Sequence, residues 1–209
     1  MKSVISELVS RGGRVKPVFN EYHVLKALIT IYKEEVIGRI SLSKTLSLSE
    51  SSTRTLIKRL KAAKIINVDP VGGCYLTDLG RSLVSSFLKD KVLLGDIMKL
   101  LPRSFRLSKF SQAAMIKGGK LKLQSVGVTE VRDLAIRYGA NAALIFSIED
   151  GKLILPGPGE VIGENEVPEL KRLRVKLNMK ANDVLVIAFS DTTVDCEKAL
   201  MLILLDFQS

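Results

Sequence analysis

Histidine and cysteine are nearly missing from this 209-residue chain, which has one His and two Cys. Two cysteines, Cys74 and Cys196, are too few for a disulfide framework or a thiolate metal centre, and they point to a reduced, cytoplasmic setting. A single His makes a His-based zinc site or a Ser-His-Asp triad a poor fit. His23 lies in a helical pattern between Tyr22 and Val24, where a packing or capping role is expected. Glutamine is also scarce, with Gln112, Gln124 and Gln208 alone, a composition that suits a heat-adapted protein. No apolar run approaches the roughly 20 residues of a membrane span. The first residues, MKSVISELVSRGGR, lack the long apolar core and small-residue cleavage site of a signal peptide, so none is expected.

Positive charge is what the chain has in excess. Lys and Arg number 32 against 22 Asp and Glu, for a net charge of +10 and a pI near 9.6. The excess is uneven. Met1–Asp90 carries 15 Lys and Arg against 8 Asp and Glu, while Lys91–Ser209 carries 17 against 14. A surplus gathered in one half suggests an anionic partner for that half. Hydrophobic residues make up 46% of the chain, enough for a sizeable core.

The stretch Arg39–Val84 organises that basic half. A helix is expected over Asn20–Val36, capped by Asn20 and ended by Gly38, with Val24, Leu25, Leu28, Ile31 and Tyr32 at helical spacing. Arg39-Ile40 reads as a brief strand. Ser41 reads as the cap of a short helix to Leu46, and Leu48 as part of a turn. Ser49 then caps the next helix, with Glu50 at its positive end. That helix, from Ser51 to Lys64, has two faces. Thr53, Leu56, Ile57, Leu60 and Ala63 form the buried one. Ser51, Ser52, Arg54, Thr55, Lys58 and Lys61 form a polar, basic one, short-chained at its N-terminal end. Small hydroxyls permit close approach to a major groove, and Arg54 and Lys58 reach bases or phosphates.

A strand at Ile65–Val68, a turn at Asp69–Gly73 and a return strand at Cys74–Leu76 follow, and Thr77 caps a closing helix. The piece Leu76-Thr77-Asp78-Leu79-Gly80 resembles the Leu-Thr-x-x-Gly join between wing and closing helix in prokaryotic winged-helix regulators. That resemblance covers about Asn20 to Leu88 and implies a winged helix-turn-helix that binds DNA. One departure stands out: family wings often carry Arg or Lys, whereas this one has no positive charge at its tip and has Asp69 instead. The wing then contributes backbone contacts only, or points away from DNA. The departure keeps open a second reading, a winged helix that binds protein.

The N-terminal segment Ser3–Arg11 is amphipathic, and Gly12-Gly13 breaks it. Arg14 and Lys16 then form either a basic arm touching phosphates or a solvated loop beside a packed helix. From Gly80 to Leu101 an apolar stripe that includes Leu94, Ile97, Met98 and Leu101 reads as one helix or two, available as a dimer surface or as an intramolecular connector. Pro102–Arg106 marks a boundary. Beyond it, strands are expected at Ser111–Lys117, Ala143–Ile148, Lys152–Leu155 and Asp183–Ser190. Helices are expected at Thr129–Tyr138, Glu169–Lys176 and Asp195–Phe207, with a Gly/Pro-rich acidic loop at Pro156–Asn165. In that loop Glu160 and Glu164, with Glu166 and Glu169 after it, could hold a hard cation or simply be solvated. Ser190–Thr193 and Ser125–Thr129 could meet an anion or simply cap helices.

The expected fold is therefore α+β in two domains. Residues 1–18 form a basic segment, 19–88 a winged helix-turn-helix, 89–104 a helical connector, and 105–209 a two-layer α+β domain with an antiparallel sheet for ligand sensing or dimerisation. This layout resembles a group of archaeal proteins that join a winged helix to an α+β domain of unknown role, which implies transcriptional regulation. The expected partners are double-stranded DNA and a small-molecule effector, with a homodimer and no membrane. No cofactor, metal site or enzymatic activity is expected.

Overall fold

The computed structural model describes residues 1–10, 17–157 and 161–207. The chain divides into two compact units, Met1–Lys89 and Asp90–Phe207.

In the first unit α1 (Lys2–Ser10) packs on α2 (Glu21–Glu34). Asn20 and His23 form a reciprocal cap on α2. The Asn20 side chain accepts from the His23 amide (3.4 Å), and His23 Nδ1 accepts from the Asn20 amide (3.2 Å). His23 therefore has the capping role expected of it. The helix stops at Glu34 rather than Val36, because Glu35 turns into positive φ and Val36–Ile37 is needed as strand β1. The expected strand at Arg39-Ile40 is accordingly three residues late. Arg39 instead opens α3 (Arg39–Leu46), which Gly38 precedes without a side-chain cap. Ser41 is no cap but an interior residue whose carbonyl accepts from Thr45 Oγ1 (3.1 Å). The earlier start gives α3 two full turns and lets it bury Leu42, Ser43 and Leu46.

Helix α4 (Glu50–Ala62) follows a tight turn. Strands β2 (Ile66–Asp69) and β3 (Gly73–Leu76) then form an antiparallel ribbon, with β1 on its other edge in the order β1-β3-β2. Helix α5 (Asp78–Leu88) closes the unit. The winged helix-turn-helix layout is complete.

The second unit is built on an antiparallel sheet. Among the described residues its order is β4-β5-β9-β6-β7-β8, formed by β4 (Lys91–Gly95), β5 (Phe110–Ile116), β6 (Ala142–Glu149), β7 (Lys152–Pro156), β8 (Val161–Gly163) and β9 (Val184–Ser190). Helices α6 (Lys120–Val126), α7 (Val128–Arg137), α8 (Glu169–Lys176) and α9 (Thr193–Asp206) complete it. Strand β9 lies between β5 and β6, and all seven of its residues are buried. Such an unbroken apolar run is what a strand covered on both faces requires. Helices α7 and α9 cover one face. On the other, Met115, Phe146, Leu185 and Ile187 pack with Leu170 and Leu173 of α8 and with Ile97, Leu101 and Phe105. The β6–β7 hairpin turns at Asp150 and Gly151, both at positive φ, as an Asp-Gly pair favours.

The helical connector expected over residues 89–104 is a strand and two single 3-10 turns, Met98–Leu100 and Arg103–Phe105. Periodicity misled here. Val92 and Leu94 alternate onto the core cluster, and Gly95 sits at positive φ beside a bulge in the β4–β5 pairing. The stripe of Leu94, Ile97, Met98 and Leu101 is consumed in that core. It is an intramolecular surface, not a dimer face. The Pro156–Asn165 stretch also differs from the expected loop, because Val161–Gly163 pairs with Ile154–Pro156 as an edge strand.

Both cysteines are buried free thiols. Burial pushes the Cys196 thiol up to about 11, with Asp195 and Asp96 adding to the rise, while its Sγ contacts the Phe110 carbonyl at 3.3 Å. A thiol held protonated is a poor nucleophile. Its linkage to folding is present below the ordinary thiol pKa and is lost as pH rises toward 11. Thiol titration with an aromatic disulfide at pH 8 is expected to count no fast-reacting Cys196 in the native protein and to count both cysteines in denaturant.

Candidate nucleic-acid interface

Helix α4 is set in place from its first residue. The Ser49 hydroxyl accepts from the Ser52 amide (3.2 Å), and buried Thr53 returns its hydroxyl to the Ser49 carbonyl (3.0 Å). Leu56 and Leu60 are fully buried. The opposite face carries Ser51, Arg54, Thr55, Lys58 and Lys61, all exposed, with Ser52 half-buried at its margin. The structure thus brings the six expected residues of α4 onto one side of one helix. At ~1.5 Å per residue they span roughly 15 Å, comparable with a major groove about 12 Å wide. Among the described residues Arg54, Lys58 and Lys61 have no ion-pair partner. Thr55 donates to the Ser51 carbonyl (3.1 Å), so its hydroxyl is oriented by its own helix.

Arg59 belongs to the same helix but serves the fold. Its Nη1 donates to the Leu8 and Val9 carbonyls (2.7 and 2.9 Å), and its guanidinium lies 5.1 Å from the Phe19 ring centroid. A cation at the C-terminal carbonyls of α1 also meets that helix's negative end. Arg14 and Lys16 lie outside the described residues. The segment that follows them runs beside the basic face, where Pro17, Val18 and Phe19 share an open groove of about 270 Å³ with Ser51, Ser52, Thr55 and Arg59. Arg39 and Lys44 on α3 are exposed too. Sequence reasoning passed over both, although Lys44 sits in the last turn of the helix preceding the turn, where phosphate contacts are common.

The C-terminal end of α4 is clamped. Lys64 takes positive φ, the Ile65 amide bonds back to the Leu60 carbonyl (3.0 Å), and the Lys64 amide bonds to that of Lys61 (2.9 Å). This helix stop usually uses glycine. The Thr77 amide donates to the Ile65 carbonyl (3.0 Å), and its hydroxyl reaches the Lys64 and Ile65 carbonyls (2.7 and 3.0 Å). The same hydroxyl accepts from the Gly80 amide (3.1 Å) and so caps α5. A Cβ on Gly80 would stand 2.2 Å from the Ile65 oxygen. The spacing of Leu76-Thr77-x-x-Gly80 now has a physical cause.

The wing is apolar at its tip. Val71 is 97% exposed. The Asp69 carboxylate turns inward, accepting from the Val71 and Gly72 amides (2.8 and 2.5 Å), and these bonds hold its pKa below the usual range. Its negative charge is therefore engaged by the turn.

The second unit's candidate sites resolve into structure. Glu160 lies outside the described residues. Glu164 takes a bidentate grip from Arg174 and accepts from the Leu153 amide (2.8 Å), while Glu166 accepts from the Gly163 amide (2.8 Å). These carboxylates tie β7, β8 and α8 together. No group of three or more His, Cys, Asp or Glu suited to a metal occurs among the described residues. Thr192 caps α9 by accepting from the Asp195 amide (3.1 Å), which is the capping role of Ser190–Thr193. Helix α7 is preceded by Gly127 without a side-chain cap, so Ser125–Thr129 shows no built site.

Residues 107–207 match the family model described as Domain of unknown function (DUF4443). The matched segment falls within the second unit. No curated protein matches the chain. Among solved structures, the chain is similar to a hypothetical protein, PH0730, from Pyrococcus horikoshii OT3. The TM-score is 0.60 at 22% identity, covering 88% of this chain and 92% of that one. At that identity the likeness shows the fold, and it spans both units. A second structure, an IcIR transcriptional regulator from Alicyclobacillus acidocaldarius, aligns over 90% of this chain and 97% of that one, at 12% identity and a TM-score of 0.29. A score that low carries no argument. No helix among the described residues is long and apolar enough to cross a membrane.

Three stability outcomes follow from this geometry. Gly80→Ala is expected to destabilise the protein by roughly 1–3 kcal/mol through forced overpacking, and Thr77→Ala by about 1 kcal/mol through the lost cap, both read from urea midpoints. The Glu164 carboxylate is held below the usual range chiefly by the Arg174 hydrogen bond. Its contribution is therefore present above the ordinary carboxylate pKa and is lost as pH falls through the lowered one. Glu164→Gln should cost roughly 1–3 kcal/mol at pH 7 and progressively less in acid, as a pH series of denaturation curves would record.

Proposed function

We propose that this chain is a DNA-binding transcriptional regulator that acts by binding rather than by turnover. Its α4 face would lie in the major groove, with Arg54 reaching a base and Lys58 and Lys61 meeting phosphates. Ser51, Ser52 and Thr55 would allow close approach, and Arg14 and Lys16 would add phosphate contacts from the N-terminal segment. The observation that carries this reading is the α4 face itself: three cations without ion-pair partners among the described residues, on the second helix of a helix-turn-helix whose other face is buried. The concentration of positive charge in Met1–Asp90 supports it. The α+β unit would serve as the effector-sensing or oligomerisation part. A homodimer on a two-fold site would have to use a surface other than the consumed 94–101 stripe. Two free, buried thiols fit a reducing cytoplasm.

A second reading has its own observation. The wing exposes Val71 and Tyr75 and presents no cation at its tip, which suits a protein partner better than a phosphate backbone.

An oligonucleotide selection repeated at two salt concentrations separates the two. Under the DNA reading a sequence preference emerges, and affinity falls steeply with salt as counterions are released. Arg54→Ala should cost about 1–3 kcal/mol and relax one base position. Lys58→Ala should weaken all sequences alike and flatten the salt slope by about one. No enriched sequence at either salt concentration would sink the DNA reading and leave the protein-binding one.

A further inference from the structure

At one end of the large sheet, β5 and β6 finish and β4 and β9 begin. Two turns are fastened together there. Asp183 is 5% exposed, and its carboxylate accepts from the Gly118 amide (3.1 Å) on one turn and the Lys180 amide (2.9 Å) on the other. The Lys120 amide donates to the Asn182 carbonyl (3.0 Å), closing the same seam. A buried carboxylate is thus committed to holding together two backbone turns that bear Lys117, Lys120 and Lys180. Lys117 and Lys180 are exposed and have no ion-pair partner among the described residues.

More positive charge arrives from β4 and α6. The Lys91 side chain is 2% exposed and pairs with Asp90 at 2.7 Å. Lys122 places its ammonium 5.8 Å from the Phe207 ring centroid. Burial, and then the charge of Lys91, draw the Lys122 pKa below the ordinary lysine value against the pull of Asp90. The carboxylates at this end are largely engaged. Asp90 faces Lys91, Glu149 lies 3.5 Å from Lys120, Asp183 is bonded to amides, and Asp150 sits in the hairpin turn beyond. At the sheet's other end Asp96, Asp191 and Asp195 are bonded to hydroxyls, amides and the Asn141 side chain, and Lys109 lies beside Phe110.

We propose that the turn pair bearing Lys117 and Lys180 is an anion site that takes a phosphate group, with Lys120 beside it already facing Glu149. The Gly118, Gly119, Lys120 and Lys180 amides are already used, by Asp183, the Ile116 carbonyl and the Asn182 carbonyl. Recognition therefore falls to the lysine ammonium groups, which act as mobile point charges rather than as a fixed fork. The ligand is a phosphorylated small molecule or the phosphate of a nucleic-acid backbone, since both present the same oxygens. This site lies in the α+β unit and does not depend on α4 binding DNA.

The test uses the full-length protein, with sodium pyrophosphate as probe in low-salt buffer by titration calorimetry, and a random-sequence duplex by fluorescence anisotropy. Saturable pyrophosphate binding is expected, weakened by about tenfold or more in Lys117→Glu/Lys180→Glu and in the milder Lys117→Gln/Lys180→Gln. Both double variants should keep the native melting temperature. Arg172→Glu/Lys176→Glu on α8 changes the net charge equally and should leave pyrophosphate binding intact. If pyrophosphate binds and the Lys117/Lys180 variants hold duplex affinity, the source is a small phosphorylated ligand. If those variants lose duplex affinity while Arg54→Ala/Lys58→Ala still responds to Lys117→Glu/Lys180→Glu, the source is backbone phosphate. The proposal is overturned if neither probe responds to the Lys117/Lys180 variants, or if the α8 variant weakens binding as much.

Discussion

The winged unit depends on one carbonyl. The Ile65 oxygen accepts from the Thr77 amide, lies within reach of the Thr77 hydroxyl, and leaves no room for a Cβ on Gly80. Through that atom the end of α4, the start of β2 and the first turn of α5 are held in one arrangement. A side chain in place of the Gly80 hydrogen would push α5 away. Without the Thr77 hydroxyl, the Lys64 turn would keep only its backbone closure. The orientation of the basic face of α4 relative to the ribbon therefore follows from a short-range steric and hydrogen-bonding constraint at Ile65, Thr77 and Gly80, well beyond Arg54 in the chain.

Arginine is divided between two duties on α4. Arg54 projects outward, while Arg59 turns back to the carbonyls that end α1 and stacks on Phe19. A planar guanidinium suits either task, since it can bond two oxygens and lie on a ring at once. Helical spacing separates them: five residues apart, they emerge about 140° around the axis from each other, as 100° per residue implies. The α+β unit is organised differently. Its central strand β9 is buried throughout, so neither face of the sheet is available to solvent near the centre, and polar chemistry is displaced to the strand ends.

Much of this was legible in residue order. The caps at Asn20, Ser49 and Thr77, the two faces of α4, the Asp-Gly hairpin and the buried run of β9 all announce themselves, because each depends on neighbours within a few positions. The misreadings share another cause. Residues 89–104 carry a spacing compatible with a helix, but a glycine at positive φ and pairing with β5 draw them into the sheet. Val161–Gly163 is a strand only because Ile154–Pro156 lies beside it.

Sequence alone determined the winged helix-turn-helix order, the α+β class and the residues of the basic face, since periodicity, capping and charge are local properties. Tertiary structure decided which charges remain outward. Arg59, Asp69, Glu164 and Asp183 are as ionic in the sequence as Arg54 or Lys117, yet the fold bonds them to carbonyls, amides or Arg174. Whether a charged group is left for a partner depends on which distant backbone atoms folding carries to it, and no local pattern encodes that.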